Sequence, residues 1–321
     1  MSRTTSALLA TVAGGAAAAS LANRRREPES LDGRVVAITG GARGLGLATA
    51  TALAARGARV GIGDLDGDLA EQVAGELGGS SMGFELDVTE PGSFTRFLDG
   101  VERQLGPLDV LVNNAGIMLV GPFSEEEDSL TRRQIDINVN GVITGCRLAL
   151  PRMRVRGRGH LVNIASAAGK VPVPGEATYV ATKHAVVGLS ESLRGELKGS
   201  GVDISVVMPG LANTELAAGM TAGRGVALVE PEEVADAIVA TLERPRFDVY
   251  VPSSLRAILA VTLALPRPLR EAVARFFQAD RIAMTFDAGA RAKYAARAAG
   301  GVSGSDAKPK HPADAVTPAE A

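Results

Sequence analysis

The sequence predicts an α/β fold built on a doubly wound parallel sheet, and three observations support it. Short apolar runs alternate with segments of helical periodicity from residue 31 onward, as in consecutive βαβ units. The first apolar run, 35–38, has no polar residue, which is typical of a parallel strand covered on both faces. A glycine-rich turn follows it, and the next strand ends on the acid Asp64. Together these features predict a Rossmann-type sheet in a single domain with a helical C-terminal extension.

The apolar runs and the helical segments give approximate bounds for the elements. We predict strands at residues 35–38, 59–64, 82–87, 110–112, 161–164, 204–208 and 247–251. We predict helices at residues 44–56, 91–105, 125–153, 179–198 and 231–242. Since ligands bind beyond the carboxyl ends of such strands, we expect the functional residues in and after the loops that follow them.

The turn after the first strand carries Gly40, Gly44 and Gly46. Glycine lets the backbone approach a phosphate closely and lets the next helix pack tightly on the sheet. The first turn of that helix presents unpaired N–H groups and the positive end of the helix dipole. This arrangement suits a pyrophosphate, so the sequence predicts dinucleotide binding.

The composition argues against several other functions. The chain has 321 residues, a net charge of −2, 3% aromatic residues and no tryptophan, which disfavours nucleic acid as a partner. Its histidines show no metal-ligand spacing, and we predict no metal site. Cys146 is the only cysteine, so no internal disulfide can form. We expect a cytoplasmic location, with association at a membrane surface as an alternative.

Both ends of the chain differ in composition from its centre. We predict an Ala-rich arm at 1–30, a dinucleotide-binding and catalytic domain at 31–252, a helical extension at 253–300 and a disordered tail at 301–321. The arm is either a frayed surface helix or a weak membrane anchor, because its apolar run is shorter than the roughly 20 residues that span a bilayer. Residues 211–230 lack a clear period and form either a mobile lid or a plain surface loop.

The helical extension contains two apolar segments with arginines beside them. Residues 255–265 are interrupted only by Arg256, and the second segment places Leu269, Phe276 and Phe277 at helical spacing. An apolar face with flanking arginines is typical of a helix that lies in a membrane interface. A cover over the substrate cleft or an oligomer surface explains the same periodicity equally well. We also expect the protein to form a homo-oligomer.

Two side chains of the fourth predicted helix can carry acid–base chemistry. Tyr179 and Lys183 are one helical turn apart and therefore lie on one face. A nearby ammonium favours phenolate, so we expect it to lower the tyrosine pKa from its usual value of about 10. Ser166 follows the fifth strand, where its hydroxyl can bond a substrate oxygen.

Five motifs occur together in the central part of the chain. They are T-G-x-x-x-G-x-G at 39–46, N-N-A-G at 113–116, Asn138 in a predicted helix, Ser166 followed by Y-x-x-x-K at 179–183, and P-G at 209–210. At this spacing they resemble the common, non-extended branch of the short-chain dehydrogenase/reductase family. The resemblance covers residues from about 31 to 251 and implies hydride transfer between a nicotinamide cofactor and a carbon that bears oxygen.

The resemblance implies a role for each of four catalytic residues. Tyr179 would give or take the proton of the substrate oxygen, and Ser166 would orient the carbonyl. Lys183 would lower the tyrosine pKa and hold the nicotinamide ribose, while Asn138 would position a water. The residues implied to bind the cofactor are Gly40, Arg43, Gly44, Leu45, Gly46, Asp64, Asp87, Val88, Asn114, Ala115, Gly116, Tyr179, Lys183, Pro209, Gly210 and Thr214.

The choice between NAD and NADP depends on two opposing residues. A carboxylate at Asp64 would bond the adenosine ribose hydroxyls and repel a 2′-phosphate. Arg43 favours the opposite choice, because a basic residue in the glycine turn can attract that phosphate. We give Asp64 the greater weight and predict NAD, with NADP as the alternative; Asp66 is either a second ligand or a turn acid.

The leading hypothesis is therefore an oxidoreductase for a secondary alcohol, ketone or aldehyde. Apolar residues at the expected pocket positions indicate a lipophilic substrate, although they could equally belong to the core; they are Met118, Leu119, Val120, Val171 and Val173. The alternative is a protein without turnover, either a dinucleotide sensor or a scaffold at a membrane surface.

Overall fold

A seven-stranded parallel sheet forms the centre of this computed structural model, which describes residues 27–220, 228–278, 283–284 and 286–300. The strands are β1 (Val35–Thr39), β2 (Arg59–Asp64), β3 (Met82–Glu85), β4 (Val110–Asn113), β5 (Gly159–Ile164), β6 (Val202–Pro209) and β7 (Asp248–Val251). Their order across the sheet is β3-β2-β1-β4-β5-β6-β7, with every pairing parallel. The chain changes direction across the sheet between β1 and β4, where doubly wound folds bind ligands. The predicted fold class is confirmed.

Ten α-helices connect and extend these strands within the described residues. They are α1 (Gly44–Ala54), α2 (Gly67–Leu77), α3 (Pro91–Leu105), α4 (Asp128–Ile135), α5 (Gly141–Arg156), α6 (Ala177–Glu196), α7 (Pro231–Glu243), α8 (Leu255–Ala264), α9 (Arg267–Phe276) and α10 (Ala288–Ala298). Most predicted bounds differ from these by a few residues. Helix α2 is not among the predicted helices; its N-cap is Asp66, whose side chain accepts a hydrogen bond from Leu69 N at 3.2 Å.

Apolar side chains cover both faces of the sheet, as the continuous apolar strands require. On one face, Phe94, Met153 and Val186 belong to a core formed with α3, α5 and α6. On the other face, Leu53 and Ile238 belong to a second core formed with α1, α2 and α7. Burying one such side chain contributes about 1.5–3 kcal/mol, so these two layers hold the strand ends in fixed positions.

The helix predicted at 125–153 is interrupted in the structure. It begins at Asp128 and contains a π-helical turn, Asp136–Asn140, between α4 and α5. The turn carries Asn138, whose amide bonds the backbone N and O of Ile117 in the loop after β4. A side chain that bonds another segment can favour a local π-turn, and such turns are frequent at functional sites.

The C-terminal extension is helical, with α8 and α9 at the two predicted apolar segments and α10 beyond them. None of the residues of α9 is buried, whereas α10 buries Arg291 and Tyr294. Most of the predicted arm, the whole predicted tail and residues 221–227 of the predicted lid lie outside the described residues. The region boundaries at 30, 252 and 300 stay predictions.

Within the described part of the chain, no helix combines the length and the apolar character needed to cross a bilayer.

Candidate active site

The turn after β1 has room only for glycine at two of its positions. A Cβ on Gly46 would lie 2.1 Å from the carbonyl oxygen of Gly40, and a Cβ on Gly40 would lie 2.9 Å from Ala115 Cα. Gly40 has a φ of +62°, which side chains rarely tolerate. The Asn114 amide donates to the carbonyl oxygens of Thr39 at 3.0 Å and Gly40 at 2.9 Å. The N-N-A-G segment therefore fixes the shape of the glycine turn.

The first turn of α1 is open to an anion. Arg43 occupies the N-cap position, but its side chain does not cap the helix, so the N–H groups of the first turn have no capping side-chain acceptor. A Cβ on Gly44 would meet the Thr214 side chain at 3.5 Å. Thr214 therefore lies beside the glycine turn, although 170 positions separate the two in the sequence. This cradle fits the pyrophosphate of a dinucleotide.

Asp64 and Arg43 form one connected group at the end of β2. Asp64 accepts a hydrogen bond from Ala42 N at 3.1 Å and lies 3.7 Å from an Arg43 nitrogen. Arg43 also pairs with Asp66 at 2.8 Å, and this hydrogen bond lowers the pKa of Asp66. Two carboxylates therefore offset the positive charge of Arg43.

The remaining predicted cofactor residues line the same edge of the sheet with less specific contacts. The Asp87 carboxylate accepts hydrogen bonds from the amide and hydroxyl of Thr89 at 2.9 and 2.7 Å, as a turn acid does. Val88 is buried, and Gly141 packs against it. Pro209 ends β6, and Gly210 N donates to the carbonyl oxygen of Val251 at 2.8 Å.

The four predicted catalytic residues come together at the carboxyl edge between β4 and β5. Lys183 is buried and donates from Nζ to the carbonyl oxygen of Ile164 at 3.0 Å. Its Nζ lies 5.5 Å from the centre of the Tyr179 ring, and Ser166 lies close enough to Tyr179 to lower the pKa of its hydroxyl. On the other side, the Cβ position of Gly116 is 3.3 Å from Asn138 Oδ1 and 3.6 Å from Lys183 Nζ.

The Asn138 side chain forms three hydrogen bonds within the protein. Its Oδ1 accepts from Ile117 N at 2.9 Å, and its Nδ2 donates to Ile117 O at 2.8 Å and to Thr182 Oγ1 at 3.1 Å. Thr182 lies between Tyr179 and Lys183 in α6. Asn138 therefore ties the loop after β4 to the catalytic helix.

The pKa values of Tyr179 and Lys183 differ from the expectation based on their four-residue spacing. Burial raises the pKa of Tyr179, the negative charge of Glu176 raises it further, and the hydrogen bond from Ser166 lowers it. Burial lowers the pKa of Lys183 to about 8. The expected lowering of the tyrosine pKa by lysine is thus wrong for this structure, because desolvation disfavours the charged form of both groups.

An apolar cluster surrounds the Tyr179 ring. Met118 and Ala168 are buried against it, and the side chains of Val120, Val173, Val180, Leu216 and Met220 pack around them. Of the residues predicted to line the pocket, Met118, Val120 and Val173 belong to this cluster, whereas Leu119 and Val171 do not. The alcohol or carbonyl group of a substrate could contact the Tyr179 hydroxyl here, within an apolar environment.

Helix α10 supplies two residues to this cluster that the sequence analysis missed. The Tyr294 hydroxyl accepts from Met118 N at 2.7 Å. Arg291 donates to the carbonyl oxygens of Met118 at 2.5 Å, Leu216 at 2.8 Å and Ala218 at 3.2 Å. No local motif marks either residue, since each acts on a segment about 75 to 176 positions away.

The start of α10 also contacts the segment after β6, close to the apolar cluster. Asp287 N donates to Gly219 O at 2.8 Å, and Met220 forms an isolated bridge with Phe286. Both contacts join the start of α10 to the segment after β6. Among the described residues, no group of three His, Cys, Asp or Glu side chains is arranged to hold a metal ion.

Comparison with known proteins places this geometry in one family. The model of the short chain dehydrogenase family matches residues 34–225. The 3-alpha-(or 20-beta)-hydroxysteroid dehydrogenase of Mycobacterium bovis is 38% identical over 186 residues, which cover 58% of this chain and 72% of the relative. The 1-deoxy-11-beta-hydroxypentalenate dehydrogenase of Streptomyces exfoliatus is 36% identical over 235 residues, which cover 70% of this chain and 86% of the relative.

A solved structure shows the same arrangement of elements. A short chain dehydrogenase/reductase from Burkholderia phymatum, solved in complex with NAD, superposes with a TM-score of 0.67 at 25% identity, covering 73% of this chain and 94% of the other. The family predicted from the motifs is confirmed. The chain belongs to the short-chain dehydrogenase/reductase family of nicotinamide-dependent oxidoreductases, which act on alcohol and carbonyl groups.

Proposed function

We propose that this protein interconverts a lipophilic secondary alcohol and its ketone with NAD as the cofactor. The observation that carries the proposal is the buried Tyr179, which has Ser166 beside its hydroxyl, packs in an apolar cluster and has Lys183 Nζ 5.5 Å from the centre of its ring. Such an arrangement can move one proton to or from a substrate oxygen while excluding water. Bound NAD supplies the acceptor for the hydride.

Each catalytic side chain has a separate task in this proposal. Tyr179 accepts the alcohol proton during oxidation and returns it during reduction. Ser166 donates a hydrogen bond to the substrate oxygen and positions the carbon. Lys183 lies over the phenol ring, where its side chain would hold the nicotinamide ribose, and Asn138 ties the loop after β4 to α6.

The glycine turn and the acid of β2 support NAD as the cofactor. The cradle formed by Gly40, Gly44 and Gly46 would hold the pyrophosphate, and Thr214 beside it would contact the nicotinamide carboxamide. Asp64 would accept hydrogen bonds from the adenosine ribose. Because Arg43 is paired with two carboxylates, it is less available for a 2′-phosphate, which favours NAD over NADP.

The substitution Tyr179→Phe tests the proposal most directly. We expect the loss of at least about 100-fold in kcat with a cycloalkanol and NAD, because general acid–base catalysis contributes 10²–10⁴-fold. The affinity for NAD, measured by calorimetry, should stay within a factor of about three. Tyr250→Phe, the same chemical change in β7 away from the site, is the matched control and should keep full activity.

Two results would contradict this function. Turnover by Tyr179→Phe close to that of the unchanged protein would remove the proton carrier from the mechanism. NAD binding without turnover of any alcohol or ketone in a broad panel would instead favour the alternative, a dinucleotide sensor.

We further propose that α8 and α9 lie on an anionic membrane surface. Ile258, Val261, Leu269 and Phe276 are each more than half exposed. Residues 255–277 also carry four arginines and a single acidic residue. Exposed apolar side chains with an excess of arginines fit a lipid surface of negative charge. This position would give a lipophilic substrate a short path from the bilayer to the site.

Point substitutions test the membrane contact better than removal of the extension, because residues 253–321 also contain Arg291 and Tyr294. The double variant Leu269→Ser/Phe276→Ser should lose sedimentation with phosphatidylserine-containing vesicles and retain NAD binding. Val155→Ser is the matched control, since Val155 is equally apolar and 90% exposed in α5. Equal sedimentation of both variants, or none by the unchanged protein, would assign this face to an oligomer contact, which light scattering would detect.

A further inference from the structure

A buried carboxylate beside the catalytic tyrosine has no role in the mechanism described so far. Glu176 is 6% exposed and occupies the N-cap position of α6. Its carboxylate does not cap the helix, and no residue of the described chain donates a hydrogen bond to it. An unpaired buried carboxylate is costly, so a protein tolerates one where a ligand completes its hydrogen bonds.

Contacts of Gly175 hold the backbone just before Glu176 in place. Gly175 has a φ of +85°, and a Cβ there would lie 2.6 Å from the carbonyl oxygen of Ala283. On its other side, the Gly175 carbonyl accepts from Gly121 N at 2.9 Å. The backbone next to Glu176 is therefore held between the loop after β4 and the segment before α10.

Glu176 lies next to residues of the substrate cluster in sequence and in charge interactions. It precedes Tyr179 by three positions, its backbone carbonyl accepts from Val180 N at 2.8 Å in the first turn of α6, and its negative charge raises the pKa of Tyr179. Burial raises the pKa of Glu176 itself to about 7, while the charge of Arg291 lowers it. Val173, one turn earlier, belongs to the apolar cluster around Tyr179.

Arg291 does not neutralise this carboxylate by direct contact. Its guanidinium donates to three backbone carbonyls, those of Met118, Leu216 and Ala218, and forms no ion pair with Glu176. The arginine thus holds the walls of the cluster together, and the carboxylate keeps its acceptor oxygens for another donor. In this otherwise apolar pocket a neutral hydroxyl is the donor that fits, since the positive charge of Arg291 would repel a cationic donor.

We propose that Glu176 determines specificity by accepting a hydrogen bond from a second hydroxyl of the substrate, so that this enzyme prefers alicyclic diols to the matching mono-alcohols. The proposal rests on the alcohol dehydrogenase function given above. The first hydroxyl meets Tyr179 and Ser166 and is oxidised, and its carbon gives up the hydride. The second hydroxyl bonds Glu176 and is unchanged, so it orients the ring and selects which carbon reacts.

Cyclohexanol and the isomeric 1,2-, 1,3- and 1,4-cyclohexanediols provide the test, because they share a ring and differ in the second hydroxyl. We expect kcat/KM with NAD to be at least about tenfold higher for one of the diols, as sites built to bond a hydroxyl discriminate strongly against its absence. In Glu176→Leu the diol ratio, which is kcat/KM for that diol divided by kcat/KM for cyclohexanol, should fall close to one. Glu176→Gln keeps the shape of the side chain and one acceptor oxygen, so its diol ratio should lie between those of the unchanged protein and Glu176→Leu.

Glu196→Gln is the matched control, because Glu196 is exposed on the same helix and should leave the ratio unchanged. The same ligands are also titrated into the NAD complex of Tyr179→Phe, which measures binding without turnover. Failure of turnover with preferential diol binding would contradict the alcohol dehydrogenase function but not the role of Glu176. The role of Glu176 would be overturned by a diol ratio near one in the unchanged protein or by the same ratio in Glu176→Leu and the unchanged protein. Equal affinity of the NAD complex of Tyr179→Phe for the diols and for cyclohexanol would also overturn it.

Discussion

Replacing Gly46 with alanine should weaken NAD binding because the added methyl group has no space. Its Cβ would lie 2.1 Å from Gly40 O, 2.7 Å from Asn114 Nδ2 and 2.8 Å from Gly41 Cα. Two of these atoms belong to the backbone, and Asn114 is held by two hydrogen bonds to backbone carbonyls. A rotamer change cannot relieve the overlap, so α1 must move away from the turn.

The size of the effect follows from the contacts at the end of that helix. Overpacking of this kind costs about 1–3 kcal/mol of stability. A displaced helix start would lose hydrogen bonds to the pyrophosphate, each worth about 1.5–3 kcal/mol when the acceptor is charged. The loss of one such bond raises Kd by roughly 10- to 150-fold.

Gly75→Ala is the matched control, because Gly75 lies inside α2 and a Cβ there would meet nothing within 4 Å. Alanine is favoured over glycine by about 1 kcal/mol in a helix interior, so this variant should be slightly more stable and bind NAD normally. Calorimetric titration with NAD and urea unfolding measure the two effects. Unchanged NAD affinity in Gly46→Ala would refute the assignment of the glycine turn as the pyrophosphate site.

Three further predictions concern the second strand, α10 and the pH profile. Asp64→Ala should narrow the NAD/NADP ratio of kcat/KM by at least about tenfold; an unchanged ratio would remove Asp64 as the selector. Tyr294→Phe leaves the buried Met118 N–H without its acceptor and should lower the free energy of unfolding by about 1–3 kcal/mol, which urea denaturation would detect. Glu176→Gln removes a charge that raises the pKa of Tyr179, so the alkaline rise of kcat/KM for oxidation should shift to lower pH. A shift to higher pH would contradict that electrostatic effect.

The sequence by itself determined the parts of the protein that depend on neighbouring residues. Mostly apolar runs of three to six residues placed the strands, since a strand covered on both faces needs no polar alternation. The glycine spacing predicted the turn at Gly40, and the four-residue interval placed Tyr179 and Lys183 on one helical face. These features follow from φ/ψ limits and helical periodicity, which act over a few residues.

The tertiary structure alone decided how the substrate side is built. Arg291 and Tyr294 bind Met118 from more than 170 positions away, and no local pattern distinguishes them from other polar residues of a helix. The proton affinity of Tyr179 also depended on the fold. Spacing indicated a lowered pKa, but the burial created by α10 and the apolar cluster raises it, because desolvation is set by everything that packs around a group and not by its neighbours in the sequence.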